Sequence, residues 1–406
     1  MNDVQGNSAE VQHGGEADAP RSAKIGVLSV ALPSIGHKVF GGLLRRTFAD
    51  STTIDFRAFW TDEHREPYAR VINQLLRARV PVGWAIERNV DFRRVRAELG
   101  YAFYARRLAQ RMRRRFPVDV LHFHTQTAAL LATDLMRQTP SVITCDQTAM
   151  QAALEWSAPW RWTHAPGIAI ERAAFRAAAA VVPFSQWAAA SVIDGHGVPA
   201  ERVHVIPIGV QLSDFADIDR ERRFGTHERP LRILFVGGEF ARKGGPLLLD
   251  VFLERFASRG VELHLVTPTT GIPEHPQVFV YRDVRAFSPE WKRLYAECDV
   301  FVLPTRWEAF GIVFVEAMAA GLPVIATSIS AIPEIIADGE TGLLIPKDDG
   351  DALAQRLEAL LGNAALRRAL GENGPRRVAA HFDAEKNAAR FEDVFRHIAR
   401  PRERAT

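Results

Sequence analysis

The chain has 406 residues, 47% of them apolar and 24% charged, with a net charge of +3. That length allows two ordinary domains with their own cores, the composition is that of a folded globular protein, and so slight a charge excess gives no case for nucleic acid as a partner. Two cysteines, Cys145 and Cys298, stand far apart in no metal-like spacing, which suits a reducing compartment and argues against a disulfide framework. No apolar run is long enough to span a bilayer. Residues 1–23 are polar, acidic and rich in Gly and Ala, without a basic-then-apolar signal pattern, and read as a disordered tail. The expected location is the cytoplasm.

Order is expected from Lys24, where the strand IGVLSVAL leads into a glycine-containing loop, PSIGHKVFGG, and then a helix. Further strands are predicted at Thr53–Phe59, Val118–Phe123, Val142–Cys145, Ala180–Pro183 and Val203–Pro207, with helical patterns between them. Residues 24–210 therefore read as repeated β-α units on a parallel sheet. The polar stretch 211–229, containing DIDRERR, reads as a linker.

A second β-α series occupies 230–380. Its strands are expected at RILFVGG (232–238), Glu262–Thr267, Val278–Tyr281, Asp299–Pro304, Pro323–Thr327 and Gly342–Pro346. Helices are expected at Gly245–Ala257, Pro289–Glu297, Val313–Ala320 and Ala352–Leu361. The fold class is α/β, two doubly wound domains facing across a cleft. Residues 381–406 are expected to form a terminal helix that packs back toward the first domain. Ligands of open α/β sheets sit at the carboxyl ends of strands, where the informative loops of this chain fall.

The run WEAFGIVFVEAMAAGLPVIAT, 307–327, carries the sharpest signal. Glu308 and Glu316 flank a loop-to-helix junction in an apolar segment, where carboxylates are costly without partners. Hydroxyl pairs at the two ends of a sugar nucleotide would be such partners. The amides near Gly311, Ile312 and Val313, at the start of the helix, could face the diphosphate between those ends. Upstream, RILFVGGEFARKGG places Gly237 and Gly238 before Arg242 and Lys243, a turn that permits close backbone approach followed by a fork and a point charge for an anion.

The pairing of GGEFARKG with E-x7-E, the tail GLPVIATSISAIPEIIADGETGLLIP, and PFSQWAAASVIDGHGVPAERVHVIPIGV (183–210) together resemble the retaining glycosyltransferases of family GT4, which have the GT-B fold. The resemblance is dense over 180–350 and thinner over 24–180. It implies that Arg242 and Lys243 bind the donor diphosphate, that Glu308 binds hydroxyls of the transferred sugar, and that Glu316 binds the ribose hydroxyls. Phe310 to Val313 would supply backbone amides to phosphate and sugar. Gly41 and Gly42 resemble the family's loop after the first strand, which approaches the donor phosphates and the acceptor. Many family members carry a His after the next strand. Here the segment is VITCDQTAM, and Asp146 stands where that His, near the transferred sugar, would be, so the resemblance makes it, with Glu308, a candidate catalytic residue. An Asp accepts sugar hydroxyl bonds but adds negative charge beside a diphosphate.

Acceptor-side signals are weaker. His122 and His124 alternate in DVLHFHTQ and suit structural or acceptor-lining roles better than a metal site, since no third ligand is near. Trp156, Trp160 and Trp162 in EWSAPWRWTH could stack on sugar rings or anchor at a membrane interface, and core packing is an equal alternative. Residues 88–115 hold ten Arg against Asp91 and Glu98. With apolar Phe92, Val95, Leu99 and Phe103 at helical spacing, they read as a helix packed on the sheet with a solvated Arg face, or as a peripheral contact with the inner face of an anionic membrane.

The expected function is transfer of a sugar from a nucleotide diphosphate sugar to an acceptor hydroxyl of a saccharide or glycolipid, with retention, in bacterial polysaccharide or glycolipid synthesis. No metal or other cofactor is expected, because the two cations can stabilise the leaving diphosphate. A GT-B phosphorylase, a nucleotide-sugar epimerase and a non-catalytic glycosyltransferase-like subunit remain as alternatives.

Overall fold

The computed structural model describes residues 24–32, 35–62, 92–155, 160–219 and 229–399, with isolated positions between 71 and 90. The expected tail at 1–23, Trp156, the side chain of Trp160, linker residues 220–228 and the last residues, 400–406, lie outside the described residues.

The first half forms a parallel sheet of strands β1 (Ile25–Ala31), β2 (Ile54–Trp60), β3 (Val120–His124), β4 (Ser141–Cys145) and β5 (Ala180–Pro183), in the order β2-β1-β3-β4-β5. The helices that bear on the site are α1 (Ile35–Thr47), α2 (Arg93–Arg113) and α3 (Ala165–Ala177). All residues of β3, β4 and β5 are buried, as expected of parallel strands covered on both faces by helices.

The second half is a six-stranded parallel sheet: β6 (Leu231–Val236), β7 (Val261–Val266), β8 (Val278–Tyr281), β9 (Val300–Leu303), β10 (Val324–Thr327) and β11 (Gly342–Ile345). Its order is β11-β10-β9-β6-β7-β8. Helices α4 (Gly245–Arg255), α5 (Pro289–Glu297), α6 (Ile312–Ala319), α7 (Gly350–Gly362) and α8 (Ala364–His381) connect and cover it. Both orders are doubly wound. The direction of winding reverses between β1 and β3 in the first sheet and between β6 and β9 in the second, and such switch points open a crevice at the strand C-terminal ends.

The last helix, α9 (Ala384–Ile398), returns to the first half. Its fully buried Phe391 and Phe395 meet Phe40 on α1, Phe56 on β2 and His122 on β3, with ring centroids 5.7 to 6.3 Å apart. The crossing is tight: Val210 donates to the Phe382 carbonyl at 2.9 Å and Ala384 donates to that of Val210 at 3.1 Å. Gly209 is required there, since a Cβ would lie 2.6 Å from the Phe382 carbonyl oxygen. One hydrophobic cluster consequently runs from α1 and α9 through Phe184 and Phe310 into the second sheet.

Two local expectations are corrected. The segment read as the loop PSIGHKVFGG is helical from Ile35, so Gly41 and Gly42 lie inside α1 and not in a loop. Buried Phe40, Leu43, Leu44 and Phe48 recur at helical spacing and outweigh two glycines. Val203–Pro207 is not a sheet strand. It runs beside β5 through one bridge, Val181 to Val203, and amide bonds from His204 and Ile206 at 2.9 and 3.1 Å, before Pro207, which has no N–H to continue a ladder.

Helix α2 buries Val95, Ala102, Tyr104, Ala105, Leu108, Ala109 and Met112, a face displaced from the Phe92-Val95-Leu99-Phe103 line read in the sequence. Its arginines are partly tied down: Arg94 to Glu98 at 3.1 Å, and Arg106 to Asp134 and to the Leu131 carbonyl. Among the described residues no helix is long and apolar enough to cross a membrane.

Candidate functional site

The loops after β6 and β9 meet at the switch point of the second sheet. Gly237 follows β6 closely packed against Lys243, whose Cβ would lie 3.0 Å from a side chain placed on it, while Gly238 borders open space. The turn then presents Arg242 and Lys243. Lys243 Nζ is bonded to Glu308 Oε2, both side chains 13% exposed. Arg242 donates to the Trp307 carbonyl at 2.7 Å and to Glu239 at 3.0 Å, and its guanidinium lies 4.9 Å from the Trp307 ring centroid. Its hydrogen bond draws the Glu239 carboxyl below the usual range. Buried Thr305 donates to the same Trp307 carbonyl at 2.9 Å. The two loops are thus laced into one rim, and the Nε of Arg242 is buried there without a hydrogen-bond partner, a donor suited to an anion.

Gly311 initiates α6 with φ +89, where a Cβ would sit 2.6 Å from the Phe314 ring and 3.1 Å from Glu308 Cγ. Only glycine holds that turn without strain. The first amides of α6, at Ile312 and Val313, lack intrahelical acceptors and carry the positive end of the helix dipole. The Phe310 side chain turns inward, its ring 6.3 Å from those of Phe184 and Phe382.

Glu316 stands apart from this group. It is 5% exposed on α6, and Tyr295 Oη on α5 donates to its Oε2 at 3.1 Å. Burial raises its pKa to about 7, and the tyrosine bond acts in the opposite direction.

On the first sheet, the loops after β1, β3 and β4, with α2 and α3, line a cavity of about 190 Å³ whose walls include Thr125, Gln126, Asp146 and Gln147 and which is bordered from the second half by Trp307 and Ala309. Asp146 therefore stands at a strand end on this wall. His122 and His124 do not line it. They are 1% and 2% exposed, bonded to Ser29 at 2.9 Å and to Thr144 at 2.7 Å respectively, and packed among Phe40, Phe56 and Phe184. Burial lowers the His122 pKa to about 3. Their expected place among acceptor-lining residues is corrected to the core, because a parallel strand covered on both faces has no solvent side for alternation to mark. Gly42 on α1 borders open space. Among the described residues no group of three His, Cys, Asp or Glu is arranged to hold a metal ion.

Sequence reasoning overlooked Tyr295, Trp307, Gln126 and Gln147. The last two lie in the loops just after predicted strands, and the rule that ligands gather at strand C-terminal ends would have selected them.

Residues 230–363 match the family model described as Glycosyl transferases group 1, and residues 59–214 match that of Glycosyltransferase Family 4. An MMP alpha-(1->4)-mannosyltransferase of Mycolicibacterium hassiacum is 31% identical over 220 residues, which are 52% of this chain and 52% of that one. The chain thus spans about half the length of this curated relative. Among solved structures, sucrose-phosphate synthase from Thermosynechococcus elongatus is similar with a TM-score of 0.70 at 19% identity, over 92% of this chain and 99% of that one. Anabaena Alr3699/HepE in complex with UDP-glucose gives 0.61 at 16% identity, over 92% and 100%. At these identities the likeness shows the fold, the two facing doubly wound domains of GT-B.

Proposed function

Because this chain belongs to the group 1, family 4 glycosyltransferases, we propose that it transfers a sugar from a nucleotide diphosphate sugar to a hydroxyl of a saccharide or glycolipid acceptor, with retention of anomeric configuration. The observation that carries this reading is the rim at the second switch point: Arg242 with an unpartnered buried Nε, Lys243 bonded to Glu308, and the α6 amides beside them. A diphosphate satisfies the orphan donor and the helix end together. The UDP-glucose bound in the Anabaena neighbour gives the same class of donor.

In this mechanism the bond from the sugar C1 to the diphosphate oxygen breaks. Arg242, Lys243 and the amides of Ile312 and Val313 stabilise the charge that grows on the leaving group, a preorganised effect worth about 10²–10³ in rate per donor removed. The acceptor oxygen attacks C1 from the face the diphosphate leaves, and its proton passes to a phosphate oxygen of the departing nucleotide. Lys243 exchanges Glu308 for phosphate, which frees the Glu308 carboxylate to hold hydroxyls of the transferred sugar. Glu316 receives the ribose hydroxyls. The two cations carry the neutralising role, so turnover is expected to survive chelation of divalent ions.

The test is a thermal-shift panel of UDP, GDP and ADP and their hexose conjugates on wild type and Arg242→Ala. One nucleotide at about a hundred times its Kd stabilises the wild type by about 2.7 kcal/mol and loses the effect in the variant. A panel in which none shifts the wild type overturns the reading.

A further inference from the structure

The cavity on the first sheet lies at its own switch point, between the loops after β1 and β3, and faces the donor rim through Trp307. Its polar groups divide into two kinds. Some are already engaged: both Glu171 oxygens accept from the Ala149 amide at 3.0 and 2.9 Å, His196 Nε2 lies 3.1 Å from Glu171, and Arg94 is bonded to Glu98. Two are not. Gln147 is only 6% exposed, yet its Nε2 has no hydrogen-bond partner, and neither has Oε1 of Gln126. Gln126 cannot readily turn away, since its Nε2 is tied to the Gln147 carbonyl at 2.6 Å. Buried polar groups left unpaired are costly and uncommon, and here an amide donor and an amide acceptor are orphaned side by side in one wall.

We infer that this cavity is a subsite for a single uncharged pyranose ring of the acceptor, with Gln147 donating to one ring hydroxyl and Gln126 accepting from another. A sugar hydroxyl both donates and accepts, so vicinal hydroxyls answer an orphan donor and an orphan acceptor together. The volume of about 190 Å³ suits one ring rather than a chain, and Trp307 supplies an aromatic wall for its apolar face. Charge sets the second selection. The lining holds three carboxylates, Glu98, Asp146 and Glu171, against Arg94 alone, and Arg94 is already bound to Glu98. A hexuronate or a phosphorylated sugar would meet a lining in which carboxylates outnumber cations, in a partly enclosed site. The pair of glutamines therefore selects hydroxyls, and the carboxylates exclude anions.

This inference rests on the transferase reading, and its test separates the two. Saturation-transfer NMR would be run with saturating UDP, GDP or ADP, whichever shifts the melting temperature. The probes are methyl pyranosides of glucose, mannose and galactose, their 6-phosphates, and the corresponding hexuronates. At least one neutral pyranoside is expected to bind, and the anionic forms to bind at least tenfold more weakly. Gln147→Ala should weaken the neutral ligand about three- to tenfold, the loss of one neutral hydrogen bond, while keeping its nucleotide shift, which shows that it is folded. Asp146→Asn should narrow the gap between neutral and anionic probes. Nucleotide binding with no neutral pyranoside bound, equal binding of the anions, or an indifferent Gln147→Ala overturns the subsite alone. Absence of any nucleotide shift overturns the transferase reading instead.

Discussion

Among the described residues two glutamates are buried, one in each half, and they are kept in opposite ways. Glu171 in the first half, 2% exposed, is held through both oxygens by the Ala149 amide, with His196 Nε2 3.1 Å away. Glu316 in the second half, 5% exposed, has one donor, Tyr295, and a pKa raised to about 7 by its burial. A carboxylate held through both oxygens by the backbone is a structural strut. One buried with capacity left over is a cost the fold retains for a ligand.

The largest expected effect lies on the strut. Glu171→Ala would orphan a buried amide, remove the partner of His196 and leave a void, at about 4 kcal/mol, read as a lower midpoint in urea. A change under about 1 kcal/mol would break the contrast from that side.

Glu316→Gln should do the reverse. With the folded pKa near 7 and an ordinary unfolded value, the folded protein binds the proton more tightly, so stability is fully present in acid and falls as pH rises toward 7. A neutral amide escapes that loss. The variant should match wild type near pH 4 and exceed it by up to about 3 kcal/mol at pH 8, while its nucleotide-sugar turnover falls. Greater stability with undiminished turnover would sink the assignment of Glu316 to the donor.

Tyr295→Phe sharpens the same point at lower amplitude. It removes the one interaction that favours the ionised carboxylate, at about 1 kcal/mol of stability. It should also move the acid limb of the kcat/KM profile to higher pH. An unmoved limb would mean that Tyr295 only fills space. Smallest of all, the His122 ring should show no titration by NMR between pH 8 and 5, because burial holds its pKa near 3.

Much of the second half was legible because its chemistry is local in sequence. The glycine turn, the two cations and the flanking glutamates occupy two short loops, and strand, loop and helix follow in unbroken periodicity. Glu308 and Lys243 could be placed from spacing. Their direct pairing could not, because it depends on β6 and β9 lying side by side, which joins residues 65 positions apart in the chain. The first half was harder. Its cavity is assembled from loops after three strands and a tryptophan of the other half, so no window of sequence contains it. The histidines of β3 misled because alternation reports exposure only when one sheet face meets water. The glycines of α1 misled because turn propensity was weighed before the apolar residues around them.

The double crossing of the chain has a consequence for recombination. The polypeptide enters the second half at Leu231 and comes back at Val210 and Ala384, where α9 closes over Phe40 and Phe56. In terms of gene architecture the second half is therefore an insertion within the first, not a cassette at its end. A chimera that exchanges everything after the linker would strip the recipient of Phe391 and Phe395. One that exchanges residues 229–382, and leaves the last helix with its native host, keeps Phe391 and Phe395 over Phe40 and Phe56.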